Sequence, residues 1–489
     1  SKFDRRLLFG GSKKYNKNTG HLMIHYMEVI VLRVFAYDVQ SIHSFLFESL
    51  EFKAIAGASR LIDKFDESMK LNSSESCECL FAGGGNGLFI IKHRSDSLQQ
   101  AFEKNKAQFL FDHPVVSVEF EIEDWPPKTT PFPPWFQCKG LENSGDFPKI
   151  YSRVALELEK QKQRVTCQLT SPKTLRNLCP LCGNREIDSN SRYNDDLICE
   201  VCSGKIEEAK SIEDKKVTFN LEEISRSLTK KGEREEGYLG VIYGDGNSLG
   251  NVYQKMNTPM EFSELSALLR REILGAIQEA TKSLTRYAVP LLGGDDFLMI
   301  VPPERVFYVL HALEKKLSRL QAERKITFSF GLAVLPTTIP LKFIFQIVED
   351  LQDEAKKANK SDPKAHGEHC AAFRYLDTPF FGAMGGAEGK IQYGVGMSTF
   401  QLWSLFETAR KMRKQEVTKG VFSKLEQLFL KSGSKAFTLN GFYYLMRNTK
   451  MPPSEIRELM SGIITNQNFG TITDLFLYEE GFGEGRVYE

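Results

Sequence analysis

The stretch PLLGGDDFLMI, residues 290–300, sets two apolar runs on either side of a pair of glycines and a pair of aspartates. Apolar runs joined at a glycine turn read as a β-hairpin, and Gly293 and Gly294 allow backbone angles and close approaches that side chains would block. A two-residue turn at the glycines puts Asp295 and Asp296 at the start of the second strand, projecting from the end of the sheet. Working outward, YLGVIYG (238–244) reads as a buried strand and EFSELSALLRREILGAIQEATKSL (261–284) as a helix after a proline-containing start. ERVFYVLHALEKKLSRL is a second amphipathic helix, KITFSFGLAVLP a strand, LKFIFQIVEDLQDEAKKA a third helix, and AAFRYLDT a candidate last strand. The order β-α-β-β-α-β predicts an α+β, ferredoxin-like unit: an antiparallel sheet with helices packed on one face.

In such a unit the first strand can lie beside the hairpin, so Asp245, in VIYGDGNSLG, is expected to meet Asp295 and Asp296 at one edge. Three converging carboxylates repel unless a cation joins them. Mg²⁺ (or Mn²⁺) is the natural occupant, since it prefers hard oxygen ligands and completes its shell with water and phosphate. Such ions lower the charge on a hydroxyl nucleophile and on a pyrophosphate leaving group, while a backbone free of side chains at Gly293 and Gly294 can lie against a triphosphate. Taken singly, GGDD and DGNS are ordinary turn sequences; their joint occurrence at the ends of neighbouring strands favours a site. Lys356, in DEAKKANK, is a candidate phosphate contact, although an exposed helix lysine is the commoner explanation of such a residue.

The same element order occurs earlier in the chain. VIVLRVFAYD (29–38) is strand-like, LFESLEFKAIAGASRLIDKF helical, CECLFAGGGNGLFIIKH a hairpin around Gly83, Gly84, Gly85 and Asn86, SLQQAFEKNKAQFL helical, and VVSVEFEIE an alternating strand. Set side by side, Asp38 falls opposite Asp245, and GGGN opposite GGDD. Two related units in one chain can pair about a pseudo-twofold axis. Between them, PPKTTPFPPWF (126–136) reads as a semi-rigid linker. CPLCGNREIDSNSRYNDDLICEVC then supplies Cys179, Cys182, Cys199 and Cys202, two C-x-x-C knuckles at an interval that suits a zinc ribbon. Four thiolates leave zinc no open position, so that site is structural. Cys77 and Cys79 fit a strand face as small core residues.

Composition bounds the alternatives. At 489 residues the chain needs several cores. With 64 Lys plus Arg against 63 Asp plus Glu, no whole-molecule field points to nucleic acid, a membrane or an acidic partner. No long apolar run or signal-peptide core is present, so a cytoplasmic protein with no membrane partner is expected. The basic N-terminal arm, SKFDRRLLFGGSKKYNKNTGH, reads as a solvated tail, and ARKMRKQEVTKG (409–420) as a solvated helix face.

LGVIYGDGNSLG, PLLGGDDFLMIV, FSFGLAV and DEAKKA together resemble the palm domain of the large subunit of type III CRISPR effector complexes, itself related to GGDEF diguanylate cyclases. FAYDVQSIHSFLFES, FKAIAGASRLID and FAGGGNGLFII resemble that family's first, degenerate palm. The resemblance implies two palm (nucleotide-cyclase) domains that face each other, bind ATP and, when the complex holds guide and target RNA, join ATP into cyclic oligoadenylates. It implies CRISPR backbone and small subunits as partners. Taken with the residue readings above, it divides the chain into a basic arm (1–27), a degenerate palm (28–125), a linker and zinc ribbon (126–235), a catalytic palm (236–380) and a C-terminal helical domain (381–489). Asp245, Asp295 and Asp296 would hold the magnesium. Gly293, Gly294, Asn247, Ser248, Lys356, Gly84, Gly85 and Asn86 would be nucleotide contacts.

Two departures matter. Asn247 stands where the family often has a second aspartate; it retains an amide oxygen but lacks the charge, which bears on the number of metal ions. About 28 residues precede the first palm and no His-Asp dipeptide occurs, so no nuclease of the family's His-Asp kind is expected. The first palm lacks both hairpin carboxylates and is expected to assist one active site without forming a second. A free-standing GGDEF-like cyclase and a non-catalytic RNA-binding scaffold are the competing readings.

Overall fold

The computed structural model describes residues 33–49, 51–71, 77–91, 97–111, 113–121, 147–165, 177–213, 216–225, 237–363, 365–376, 394–415, 417–449, 451–463 and 466–482. The basic arm, the proline-rich linker and most of the glycine-rich stretch 382–396 lie outside the described residues.

The first sheet is built from β1 (Arg33–Val39), β2 (Cys77–Gly83), β3 (Asn86–Ile91) and β4 (Val115–Glu121), in the order β2-β3-β1-β4 with every pairing antiparallel. Strand alternation sends Phe35, Tyr37 and Val39 to one face and Val34 and Ala36 to the other, and all five are buried. The helices α2 (Phe52–Leu71) and α3 (Ser97–Leu110) belong to the core on the first of these faces, beside the short α1 (Ile42–Leu46). The second face is covered by α4 (Phe147–Val165), through Phe147, Ile150, Val154 and Leu158. Those four sit at helical spacing, a signal present in the sequence just after the linker.

Next comes a small cysteine-rich region: β5 (Arg192–Tyr193), β6 (Asp196–Leu197), α5 (Glu200–Lys210) and α6 (Leu221–Ser225). Its helix α5 crosses α2 at Gly57, where a Cβ would stand 1.7 Å from the Lys205 carbonyl oxygen. Glycine is required there by backbone-to-backbone contact. Lys205 itself is fully buried: its ammonium donates to the Phe45 carbonyl (2.6 Å) and to Glu48 (3.1 Å), which also accepts from Arg185 (2.9 Å).

The second sheet contains β7 (Tyr238–Gly246), β8 (Ala288–Gly293), β9 (Asp296–Val301), β10 (Phe328–Pro336), β11 (Cys370–Tyr375) and β12 (Met397–Ser398), in the order β12-β11-β10-β7-β9-β8. Its four strands β10-β7-β9-β8 repeat the order β4-β1-β3-β2 of the first sheet. Between the strands run α7 (Leu249–Tyr253), α8 (Pro259–Thr281), α9 (Val306–Arg324) and α10 (Leu341–Ser361). The start of α8 is set by Thr258, whose hydroxyl accepts from the Glu261 N–H, with Pro259 in the first turn.

Two expectations about this sheet are corrected. The last strand, β11, pairs parallel to β10, because the long helix α10 between them carries the chain back to the end where β10 began. The helices also lie on both faces. Tyr243 on β7 meets Phe345 of α10, with ring centroids 5.3 Å apart, while Ile242, Phe297 and Met299 pack with α8 and α9. Both faces are apolar, so both are covered. Beyond β12, α11 (Thr399–Lys414), α12 (Lys419–Asn448), α13 (Pro453–Ile463) and α14 (Asn466–Phe482) follow, with α11 and α14 packed over β11. Among the described residues, no helix is long and apolar enough to cross a membrane.

Candidate functional site

Phe297 and Gly244 face each other across β7 and β9, and the Phe297 ring fills the space a Gly244 side chain would take, a Cβ there lying 2.4 Å from the ring. This locks the hairpin onto the end of β7. Carboxylate oxygens of Asp245, Asp295 and Asp296 then all fall within 4.8 Å of one another. The hairpin turn lies one residue later than the sequence suggests: Gly293 pairs with Asp296, and Gly294 and Asp295 form the turn. Of these two only Gly294 has a positive φ, 59°, the requirement of a type II′ turn. Asp295 therefore sits in the turn itself and Asp296 begins the strand.

The site is short of positive charge. Burial, followed by the Asp245 carboxylate alongside, pushes Asp295 up to about 7 and Asp296 up to about 9. Asp245 accepts from Gln352 (3.3 Å) and pairs with Lys356, both on α10. A cluster of hard oxygen donors with its charge this poorly compensated fits a divalent cation of the magnesium type. Tyr243, two residues before Asp245 and so on the same face of β7, has its hydroxyl pushed well above the usual range by burial and then by Asp296 and Asp245. The sequence signal for Tyr243 is that two-residue offset from Asp245.

Asn247 has other work. Its amide nitrogen donates to Thr327 Oγ1 (2.9 Å) and its amide oxygen accepts from Ser329 (2.8 Å), tying the end of β7 to β10. Its oxygen is thus already engaged away from the aspartates. Ser248 is exposed, with φ 57°, at the start of α7, and its side chain makes no capping bond there.

The first sheet reproduces this register with different residues. Asp38 pairs with Asn86 and Gly83 with Asn86, so Asn86 stands where Asp296 does in the second sheet and Gly85 where Asp295 does. Asp38 meets Lys162 of α4 at 2.8 Å. Burial still raises the Asp38 carboxyl, with Lys162 opposing. One lysine thus faces a single carboxylate here, whereas Lys356 faces three. The two glycine turns touch: a Cβ on Gly84 would stand 3.0 Å from the Gly294 nitrogen and 3.3 Å from the Gly293 carbonyl carbon. Beside this contact opens a cleft of about 320 Å³, lined from both sheets' elements by Asp63, Phe81, Tyr253, Ser266, Arg270 and Asp295 among others.

Cys179, Cys182, Cys199 and Cys202 bring their sulfurs within 4.8 Å of one another. Cys199 caps α5, its sulfur accepting from the Cys202 N–H at 3.4 Å. Hydrogen bonds from Cys199 and Cys202 push the Cys182 thiol strongly down, and the same contact pushes Cys199 up to about 12. A donor set of four clustered sulfurs, one already favoured as thiolate, fits a closed tetrahedral zinc site. Cys77 is buried and Cys79 half-buried, apart from this cluster.

Residues 238–364 match the family model described as Cas10/Cmr2, second palm domain. A stretch of 151 residues, 29% of this chain, is 28% identical to a CRISPR system single-strand-specific deoxyribonuclease Cas10/Csm1 (subtype III-A) of Enterococcus italicus; the alignment spans 20% of that relative's length. The fold resembles that of a Csm1-Csm4 cassette in complex with cA4, with a TM-score of 0.56, 13% identity, and 91% of this chain and 70% of that one covered. It likewise resembles a Csm1-Csm4 cassette with one ATP (TM-score 0.58, 14% identity, 92% and 70% covered) and Csm1 of T. onnurineus (TM-score 0.54, 14% identity, 92% and 69% covered). The aspartate trio and the two touching turns thus lie on a fold shared with these proteins, and the segment that carries the trio, residues 238–364, matches the Cas10/Cmr2 second palm domain.

Proposed function

We propose that this chain is the ATP-cyclising subunit of a type III CRISPR effector complex, active in the cytoplasm, joining ATP into cyclic oligoadenylate when guide and target RNA are held by the assembly. The observation that carries the reading is the convergence of Asp245, Asp295 and Asp296 within 4.8 Å at the end of a Cas10/Cmr2-type palm. Support comes from the related cassettes, which bind ATP and cA4.

Asp245, Asp295 and Asp296 are the residues that would hold Mg²⁺. When bound, the ion supplies charge neutralisation for a 3′-hydroxyl nucleophile and a pyrophosphate leaving group. Gly293 and Gly294 let the backbone approach the phosphates, Lys356 offers its ammonium to a phosphate oxygen, and Gln352 keeps Asp245 oriented. The first palm, with Asp38 neutralised by Lys162, holds the second nucleotide through Gly84, Gly85 and Asn86. The four cysteines hold a structural zinc, with no part in the chemistry. Neighbouring CRISPR subunits and the two RNAs are the partners.

Labelled ATP, Mg²⁺ and the effector complex with target RNA provide the test. The wild type is expected to yield a cyclic oligoadenylate, and the Asp295→Ala, Asp296→Ala double variant to lose at least about 10³-fold in rate. Equal product from both would overturn the assignment. A cyclic dinucleotide made from GTP without RNA would move the chain to the GGDEF-like cyclases.

A further inference from the structure

The helix α2 carries a carboxylate that this chemistry does not use. Asp66 is fully buried. Its Oδ1 accepts from the Tyr37 hydroxyl (2.7 Å), and its Oδ2 accepts from the backbone N–H of Gly85 (2.9 Å). Gly84 and Gly85 both have positive φ, 61° and 78°, so their turn is left-handed at both central residues and depends on how its N–H groups are held. Tyr37 is itself fixed: its ring fills the notch at Gly87, where a Cβ would lie 2.1 Å from it. About two helical turns before Asp66, the same helix reaches the other hairpin, where the Ser59 hydroxyl accepts from the Leu292 N–H at 3.4 Å.

We infer that Asp66, seated by Tyr37, is a positioning residue for the nucleotide site: it holds the Gly84–Gly85 turn against Gly293 and Gly294, so that α2 sets the spacing of the two hairpin tips. The inference rests on the proposed function for its kinetic consequence but not for its structural one. A carboxylate sealed in an apolar core is costly, and a neutral side chain would fill the place more cheaply if packing were its only role. The N–H it holds belongs to the residue next to the one that touches Gly294.

The test compares Asp66→Ala, Asp66→Asn and Tyr37→Phe in the full chain, by amide hydrogen exchange at both hairpin tips and by ATP kinetics in the RNA-loaded complex. Asp66→Ala is expected to speed exchange at residues 84–86 and also at 293–295. It should raise KM for ATP about tenfold with kcat within about twofold, the scale of one charge-assisted hydrogen bond. Asp66→Asn, whose amide oxygen can still accept from Gly85, should restore most of both, and Tyr37→Phe should give a smaller effect in the same direction. Should Asp66→Ala not fold, Tyr37→Phe and Asp66→Asn carry the comparison. Faster exchange confined to 84–86, or a loss of melting temperature with KM unchanged, would overturn the inference. If the wild type makes no product, the proposed function falls, and the exchange data still decide whether Asp66 couples the tips.

Discussion

Gly84 shows what a single residue contributes. Its φ of 61° is open to glycine with little strain, and its missing side chain is where the second hairpin's backbone arrives. Gly84→Ala is expected to cost about 1–2 kcal/mol from the left-handed backbone. It should also push the two tips apart, so that stability falls by thermal melting and ATP binding falls further than stability alone requires. Asp66 has a separate signature in pH. Burial raises its carboxyl to about 7, against the lowering effect of Tyr37 and Gly85. The folded state therefore binds this proton more tightly than the unfolded chain. Its contribution to stability is complete below the ordinary carboxylate range and is lost as pH rises to about 7, with a slope of up to about 1.4 kcal/mol per pH unit. Asp66→Asn should flatten that decline; urea titrations of both proteins between acid and neutral pH would measure it, and parallel curves would show that Asp66 does not titrate as described.

At the level of elements, α2 and α5 form the joint to examine. Their crossing at Gly57 leaves no room for a methyl group beside the Lys205 carbonyl, so Gly57→Ala must separate the helices. A destabilisation on the order of 1–3 kcal/mol is expected, with faster hydrogen exchange along both helices; an unchanged midpoint in denaturant would contradict the packing. Legibility differs from element to element. The hairpin GGDD, the helices between strands and the repeated GGGN hairpin could all be read from apolar period and glycine placement, because these are local signals. The turn's offset by one residue could not, since the choice between Gly293–Gly294 and Gly294–Asp295 depends on the β7–β9 register. The helix α4 is legible from the spacing of Phe147, Ile150, Val154 and Leu158, within the stretch that the prolines and cysteines on either side mark as linker and zinc region. Helices on both faces were obscured because β7 is apolar at every position from Tyr238 to Tyr243 except Gly240, leaving no alternation to show which face is open.

For the molecule as a whole, one continuous core runs from the first sheet through the cysteine region to α10. The cysteine region reaches both. Lys205 holds the Phe45 carbonyl within α1 and shares Glu48, just after it, with Arg185, and His43 of α1 stacks edge-on against Phe345 of α10, the helix that bears Gln352 and Lys356. Removal of metal with a chelator, or Cys182→Ser, is therefore expected to lower the melting temperature of the entire chain by several degrees, since the bound ion stabilises only the folded form. Metal analysis with parallel calorimetry checks this; a protein that melts identically with and without zinc would remove the structural role given to the four cysteines.

By itself the sequence determined the identity of the groups: which residues are acids, which glycines can turn, which thiols are paired, and roughly where strands and helices run. These follow from side-chain chemistry and from periods of two and 3.6 residues, which are properties of a short window. Tertiary structure alone decided how the groups meet. It drew Asn247 away to Thr327 and Ser329, set Lys356 on Asp245, gave Asp38 a partner in Lys162 from more than a hundred residues further along, and brought Gly84 against Gly294. Such pairings depend on packing between surfaces distant in the chain, and no local pattern encodes the distance between them.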